Sequence, residues 1–306
     1  MIKQETVYEM RLVSALEKVF LDERPVYRPE CMKLTALKGE TVSFQAACTC
    51  TSFMKNRVKV RIESPISDRI HVRKVENVPA GRVCGPIVDD NYLKTESGLY
   101  PDLLRELVDG EVDIFPQKWR SIWIDIEVTE DVKAGLYPVT VILEKDGETL
   151  ARAATEVTIY DAVLPKQKMM HTEWFYLDCL ADYYHVPVFS EEHWEIITNY
   201  LKEYVKRGCN MILTPLFTPA LDTAVGIERT TTQLLDVRVE NGNYSFGFDR
   251  VKKWIDLCQS CGIEYFEICH LFSQWGAKYA PKVMAVVNGK EEQIFGWHTP
   301  AVGEYT

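Results

Sequence analysis

The 306-residue sequence has no block of lysine and arginine, and its 35 basic side chains are outnumbered by 45 acidic ones, for a formal net charge of −10. Polyanions are held by clustered cations, so nucleic acid and an anionic membrane surface are both excluded as the main partner. No apolar run is long enough to span a bilayer. The amino terminus, Met1-Ile2-Lys3-Gln4-Glu5-Thr6, lacks the basic-then-apolar order of a secretory leader. No glycine-rich phosphate loop opens a helix, which counts against a nucleotide-binding Rossmann domain. The six histidines have no metal-ligand spacing, so neither a metal nor a cofactor is expected. Nine cysteines, at positions 31, 48, 50, 84, 179, 209, 258, 261 and 269, are odd in number and irregularly spaced. That pattern fits free thiols in a reducing compartment better than a disulfide framework, and the expected location is cytoplasmic.

What is present is enough for a large core: 46% hydrophobic residues with 26% charged ones. Residues 1–166 read as strands. Thr41 to Ala46 places apolar side chains at alternate positions, and Ile122, Ile124, Ile126 and Val128 alternate with Trp123, Asp125 and Glu127. Val139 to Leu143 is another strand, and Asp146-Gly147 turns it into a partner ending near Tyr160. Short strands between turns predict a β-sandwich. The stretch from Gly81 to Phe115 is less regular, and Tyr100 to Leu104 reads as part of a long loop.

From 167 to 306 the texture changes. His171 to Asp178 is an aromatic strand candidate. Ser190 caps a helix that stops at Gly208, with Trp194, Ile197, Leu201, Tyr204 and Val205 at helical spacing. Asn210 to Pro215 reads as a buried strand. A second helix from Asp249 puts Val251, Trp254, Cys258 and Cys261 on one face before Gly262, and Tyr265 to Leu271 is a third strand. Strands alternating with helices predict a parallel α/β arrangement. The expected class is therefore an α+β multidomain protein, a β-sandwich followed by the first part of a TIM (β/α)8 barrel. An eight-stranded barrel takes ~250 residues, so 167–306 is expected to be an incomplete barrel with three strands, in an amino-terminal fragment. The segments 217–248 and 272–297 would be the long loops at the carboxyl ends of the strands, where barrel enzymes build their sites.

Those loops hold the side chains with chemistry. His270-Leu271-Phe272-Ser273-Gln274-Trp275-Gly276-Ala277-Lys278 offers imidazole, amide, indole and ammonium groups together. A sugar site needs such a mixture, an aromatic face for the C–H side of the ring and polar groups for its hydroxyls; a loop anchored by a buried tryptophan is the plainer alternative. Asp222 and Arg229 can bind substrate or pair to brace their loop. Trp297 and His298 can roof a pocket or merely pack. Cys258 and Cys261 match CxxC, but both lie on the apolar helix face, so core packing outweighs a redox role. Glycosidases use paired carboxyl groups; Glu173, Asp178 and Glu267 are the candidates in this half. The one adjacent Asp-Glu pair, Asp22-Glu23, precedes Arg-Pro in the first half and reads as a surface turn.

The strings His171 to Phe175, Leu213 to Gly226, Gln233-Leu234, His270 to Lys278 and Phe295 to Trp297 resemble glycoside hydrolase family 123 and related DUF4091 proteins. The resemblance is weak in the first half and strong from His171 onward. It implies an amino-terminal sandwich, a TIM barrel and exo-acting β-N-acetylhexosaminidase or β-N-acetylgalactosaminidase activity on an N-acetylhexosamine glycan. It also implies substrate-assisted retaining catalysis, in which an Asp orients the 2-acetamido group and the next Glu is acid then base. The family carries this pair as Asp-Glu-Pro on the fourth barrel strand. No Asp-Glu-Pro occurs here, so no catalytic residue is assigned; the pair is expected beyond Thr306 and the 306 residues are expected to be inactive. The resemblance carries over only a pocket wall: Trp174, Asp222, Arg229, His270, Gln274, Trp275, Lys278 and Trp297. The competing expectation is a non-catalytic carbohydrate-binding or scaffold protein.

Overall fold

The computed structural model describes residues 6–26, 32–81, 91–224, 226–274 and 276–306. The chain divides into two compact units, Met1–Pro165 and Lys166–Thr306.

The regular structure described in the first unit is β, with a short 3-10 turn at Ser67–Arg69. Its strands are β1 (Tyr8–Ser14), β2 (Lys33–Lys38), β3 (Thr41–Cys50), β4 (Asn56–Glu63), β5 (Ile70–Ala80), β6 (Gly98–Glu106), β7 (Glu111–Ile114), β8 (Arg120–Glu127), β9 (Gly135–Lys145) and β10 (Glu148–Val163). They form two five-stranded sheets, ordered β1-β3-β8-β5-β6 and β2-β10-β9-β4-β7. Period-2 alternation decides what is buried. Phe44 lies opposite Ile124 and Ala46 opposite Ile122, so one face of β3 and β8 is apolar. These side chains share a single core with Val139, Val141 and Leu143 of β9 and Val157 and Ile159 of β10 from the other sheet. The β9–β10 hairpin turns on two residues, Asp146 and Gly147, both with positive φ, because that turn matches the twist of the strands it joins.

Tyr100 to Leu104, expected in a loop, is instead part of edge strand β6. The alternation is faint because an edge strand buries little. Pro101 sits where the register against β5 shifts, and a bulge on an edge strand tolerates the missing N–H. Residues 82–90 of the irregular stretch lie outside the described residues.

The second unit contains α1 (Leu177–Tyr184), α2 (Glu191–Lys206), β11 (Met211–Thr214), β12 (Asp236–Glu240), β13 (Asn243–Gly247), α3 (Asp249–Cys261), β14 (Tyr265–Ile268), β15 (Val283–Val287) and β16 (Lys290–Phe295). Ser190 caps α2 by accepting the His193 N–H, and Gly262 ends α3 in the left-handed region. β11 and β14 pair in parallel, Met211 opposite Tyr265 through Thr214 opposite Ile268. Trp194, Ile197 and Leu201 of α2, Trp254 and Cys258 of α3 and Ile212 of β11 build the core. Cys258 is fully buried and burial drives its thiol pKa up, so core packing is the role its surroundings support.

Two expectations fail in this unit. His171 to Asp178 is not a strand: 171–176 has no regular structure and Leu177 already begins α1. Apart from the Asn210 and Met211 N–H groups, which donate to the His171 carbonyl, side chains take the places of sheet rungs here. The Tyr204 hydroxyl lies 2.8 Å from both the amide and the carbonyl of Glu173 and 2.7 Å from the Met211 carbonyl, and the Asn210 amide oxygen accepts the His171 N–H. The segments 217–248 and 272–297 are also not simple loops. They contribute β12, β13, β15 and β16 to one four-stranded sheet, ordered β13-β12-β15-β16. Asn241-Gly242 and Asn288-Gly289 close its two hairpins, all four residues having positive φ.

Candidate functional site

Alternation along 174–176 sorts the aromatic string into two destinations. Phe175 turns inward against Tyr200 and Tyr204. Trp174 stays 46% exposed and meets His270 edge-to-face, ring centroids 5.4 Å apart. With nearly half its surface open to solvent, the indole leaves room for a ring to stack on it.

Two residues further on, Tyr176 starts a network that the sequence did not reveal. Its hydroxyl donates to Asp222 Oδ2 at 2.9 Å, and its ring lies 4.0 Å below the Arg229 guanidinium. Burial, reinforced by the bond to Asp222, raises the phenol pKa far above its usual value, so it remains a donor. Arg229 is spent on its surroundings. Its Nε and Nη2 donate to the two oxygens of Asp178 at 2.7 and 3.2 Å, and Nη1 donates to the Leu221 carbonyl at 3.3 Å. The side chains of Arg229 and Asp178 are 10% and 6% exposed. The contacts thus favour a bracing Arg229, with Asp178 and not Asp222 as its partner. Asp178, a candidate acid in the sequence, is occupied by that ion pair.

Asp222 is where three segments meet. The segment before α1 supplies Tyr176, the segment after β11 supplies Asp222 itself, and the segment after β14 supplies Gln274. The Asp222 N–H donates to Gln274 Oε1 at 3.0 Å, and Gln274 Nε2 donates to the Thr223 carbonyl at 2.7 Å. Asp222 has φ 58°, a left-handed conformation that costs a non-glycine residue of order 1–3 kcal/mol and persists only where neighbours enforce it. Gln274 therefore clamps the Asp222 loop with both ends of its amide. Asp222 Oδ1 has no hydrogen-bond partner among the described residues, and Asp222 is accessible to solvent.

The other candidates lie around this cluster. Lys278 is exposed, its ammonium without an ion-pair partner among the described residues; its carbonyl accepts the Ala301 N–H. Trp297 is 48% exposed, stands edge-to-face to His298 and lines a cavity of about 30 Å³ together with Thr218, Thr223, Arg229 and Ser273. That space suits one water and not a sugar ring. Trp275 lies outside the described residues. Glu173 is exposed beside His171, and Glu267 sits mid-strand on β14. Tyr176 was missed because its importance lies in what it touches. The one signal for it was its shared parity with Trp174.

Residues 174–305 match the family model described as the glycoside hydrolase 123 catalytic domain, and residues 20–145 match the glycoside hydrolase 123 N-terminal domain. Among solved structures, the chain is similar to a family 123 glycoside hydrolase from Clostridium perfringens, with TM-score 0.71 and 17% identity over 94% of this chain and 52% of that one. The likeness concerns the fold, and this chain spans about half the length of that enzyme. A CARDB domain from Pyrococcus furiosus (TM-score 0.26, 6% identity, 52% of this chain and 98% of that one) and a beta-glucosidase from Listeria innocua (TM-score 0.25, 10% identity, 53% and 17%) also match, too distantly to carry an argument. No curated protein matches the chain.

Proposed function

This chain belongs to glycoside hydrolase family 123, and from that premise we propose that it carries one wall of the sugar site of a glycoside hydrolase acting on an N-acetylhexosamine glycan. In this reading the first unit is a β-sandwich, and β11, α3 and β14 begin a (β/α)8 barrel whose strand ends face the substrate. Trp174 is the stacking platform for a pyranose ring. Asp222 accepts from sugar hydroxyls through its unpartnered oxygen, and Lys278 supplies a free donor. Arg229, Tyr176 and Gln274 hold these groups in place.

The observation that carries the proposal is the convergence of three chain segments on Asp222, left-handed and accessible, whose partner Tyr176 lies two residues from the exposed Trp174. Non-glycine strain enforced by several neighbours marks positions where a fixed geometry matters. Bond cleavage by the family's substrate-assisted retaining route needs an adjacent Asp-Glu pair. The only such pair in the sequence is Asp22-Glu23, in the first unit. The 306 residues alone are thus expected to bind sugar without cleaving it.

The test is an NMR titration of the 306-residue chain with free N-acetylgalactosamine. One ring on an open face should bind at about millimolar affinity, about −4 kcal/mol, and shift the Trp174 indole N–H signal. Asp222→Asn should weaken that shift, and an aryl β-N-acetylgalactosaminide should not be turned over. An indole signal that stays still at saturating sugar refutes the assignment of this wall.

A further inference from the structure

On the opposite side of the core-facing residues of the four-stranded sheet lies a cleft that the sugar-site reading does not use. β12 and β15 are joined as a parallel pair only at Arg238–Val286 and Val239–Val287. Before those rungs the strands splay, and the buried side chain of Gln233 holds the gap. Its Nε2 donates to the Leu235 carbonyl at 2.7 Å and to the Met284 carbonyl at 2.8 Å, while its Oε1 accepts the Met284 N–H at 2.9 Å. A glutamine that replaces sheet rungs on both strands fixes a wedge, and the wedge opens into a cavity of about 260 Å³.

The register decides what faces that cavity. Val237 and Ala285 are buried in the core, so the alternate residues Asp236 and Val286 point to the other face, and Glu291, opposite Val286, joins them. Arg250, from the first turn of α3, pairs with Asp236 and lies 5.5 Å over the Phe189 ring. Thr231 and Phe189 also line it. Phe189 is itself held at φ 60° and stacks on Trp194 at 5.3 Å. Its backbone N–H is fixed by His193 Nδ1 at 3.0 Å. The aromatic wall is therefore pinned in place by its neighbours.

We infer that this cleft is a second binding site, for a single neutral, hydroxyl-rich ring such as one pyranose. Its volume falls just below the ~300–1,000 Å³ of typical ligand pockets, which suits one ring and not a chain. Two carboxylates against one guanidinium disfavour an anion, and because Arg250 already neutralises Asp236 the charge left over is one exposed, water-screened carboxylate, too little to select a cation. Hydroxyl groups satisfy both, donating to Glu291 and Asp236 while accepting from Arg250 and Thr231. Val286, exposed on this face, supplies an apolar flank for the C–H side, the Phe189 ring being taken up by Trp194 and Arg250. The choice of a sugar as ligand rests on the carbohydrate reading above, whereas the cleft itself does not.

The experiment is a backbone-amide NMR titration of the 306-residue chain with galactose and, separately, with glucuronate, comparing wild type with Glu291→Gln, Arg250→Met and Trp174→Ala. Galactose should shift the amides of Thr231, Ala285 and Glu291, and Trp174→Ala should leave those shifts unchanged. Glu291→Gln, at an exposed position, keeps the fold and should weaken this binding about tenfold, as should Arg250→Met, each removing a charged hydrogen-bonding partner. Glucuronate should bind about tenfold more weakly than galactose at these amides. Amides that stay still with galactose, shifts lost in Trp174→Ala, shifts untouched by both cleft substitutions, or equal binding of glucuronate overturn the inference. If the cleft responds while the Trp174 indole never does, the second site stands and the first reading fails.

Discussion

Replacing Arg229 by methionine keeps much of the stem but removes the guanidinium, and the consequences separate a brace from a ligand. Arg229 and Asp178 are nearly sealed from water, and the geometry is bidentate. Breaking such a pair strands the surviving carboxylate, at a cost of about 3–5 kcal/mol. The cation over the Tyr176 ring adds about 1 kcal/mol. For a unit of this size each kcal/mol lowers Tm by about 2–4 °C, so a loss on the order of 10 °C is expected. Asp178→Asn should cost nearly as much. The double variant should cost less than the sum by about 1–3 kcal/mol, since neither partner is then left charged and alone. Urea unfolding of the four proteins, followed by far-UV circular dichroism, closes the cycle. If Arg229→Met costs under about 1 kcal/mol and the two substitutions add, the bracing argument is wrong. A stable Arg229→Met variant that loses sugar binding would instead make Arg229 a ligand.

Gly296 offers a second test: a Cβ there would lie 2.3 Å from Gln293 Nε2 and 2.7 Å from Glu228 Oε1. Gly296→Ala must displace one or both of these flexible side-chain ends and strain their bond, at about 1 kcal/mol, and unchanged stability with the 2.8 Å bond intact in a crystal structure would contradict this packing. A pH prediction rests on His193, fully buried, with Nε2 directed at the Leu177 carbonyl and Nδ1 accepting the Phe189 N–H. Burial depresses its pKa in the fold, although the bond to Leu177 opposes this. Below the unfolded value of ~6.5 the unfolded chain takes up a proton that the fold refuses. Its contribution should accordingly be complete above pH ~6.5 and fall as the pH drops through the folded value. Urea midpoints from pH 7.5 to 5 should decline less in His193→Gln than in wild type, and identical slopes would rule the histidine out.

What the sequence disclosed follows from how local each signal is. The α2 cap at Ser190, the α3 stop at Gly262 and the β8 alternation are written in adjacent residues, and they appear where expected. β6 was hidden because an edge strand with a proline at its bulge buries too little to leave a pattern. The sheet made from 217–248 and 272–297 had readable parts, Asn241-Gly242 and Asn288-Gly289 between β-forming runs. That β12 and β15 would then pair with each other is non-local, and no local propensity encodes it. His171 to Asp178 failed in the reverse sense. Its aromatics look like a strand, but Tyr204 and Asn210, distant in sequence, occupy the positions where rungs would form.

The site residues show the same division, and it bears on how the proposed wall would work. Residue type alone makes Arg229 and Gln274 as good sugar ligands as Asp222 or Lys278, since all four carry suitable donors or acceptors. Their partners separate them. Arg229 spends its guanidinium on Asp178 and the Leu221 carbonyl, and Gln274 spends its amide on Asp222 and Thr223. A binding group must keep unsatisfied capacity aimed outward, and its geometry must be fixed before the ligand arrives so that little ordering entropy is lost on binding. Asp222 meets both conditions only because Tyr176 and Gln274 hold it in a conformation it would otherwise leave. Removing the clamp should therefore cost affinity without removing any contact to sugar. Gln274→Leu should weaken N-acetylgalactosamine binding while Trp174 still meets His270 edge-to-face, whereas Asp222→Asn should weaken it with the clamp intact.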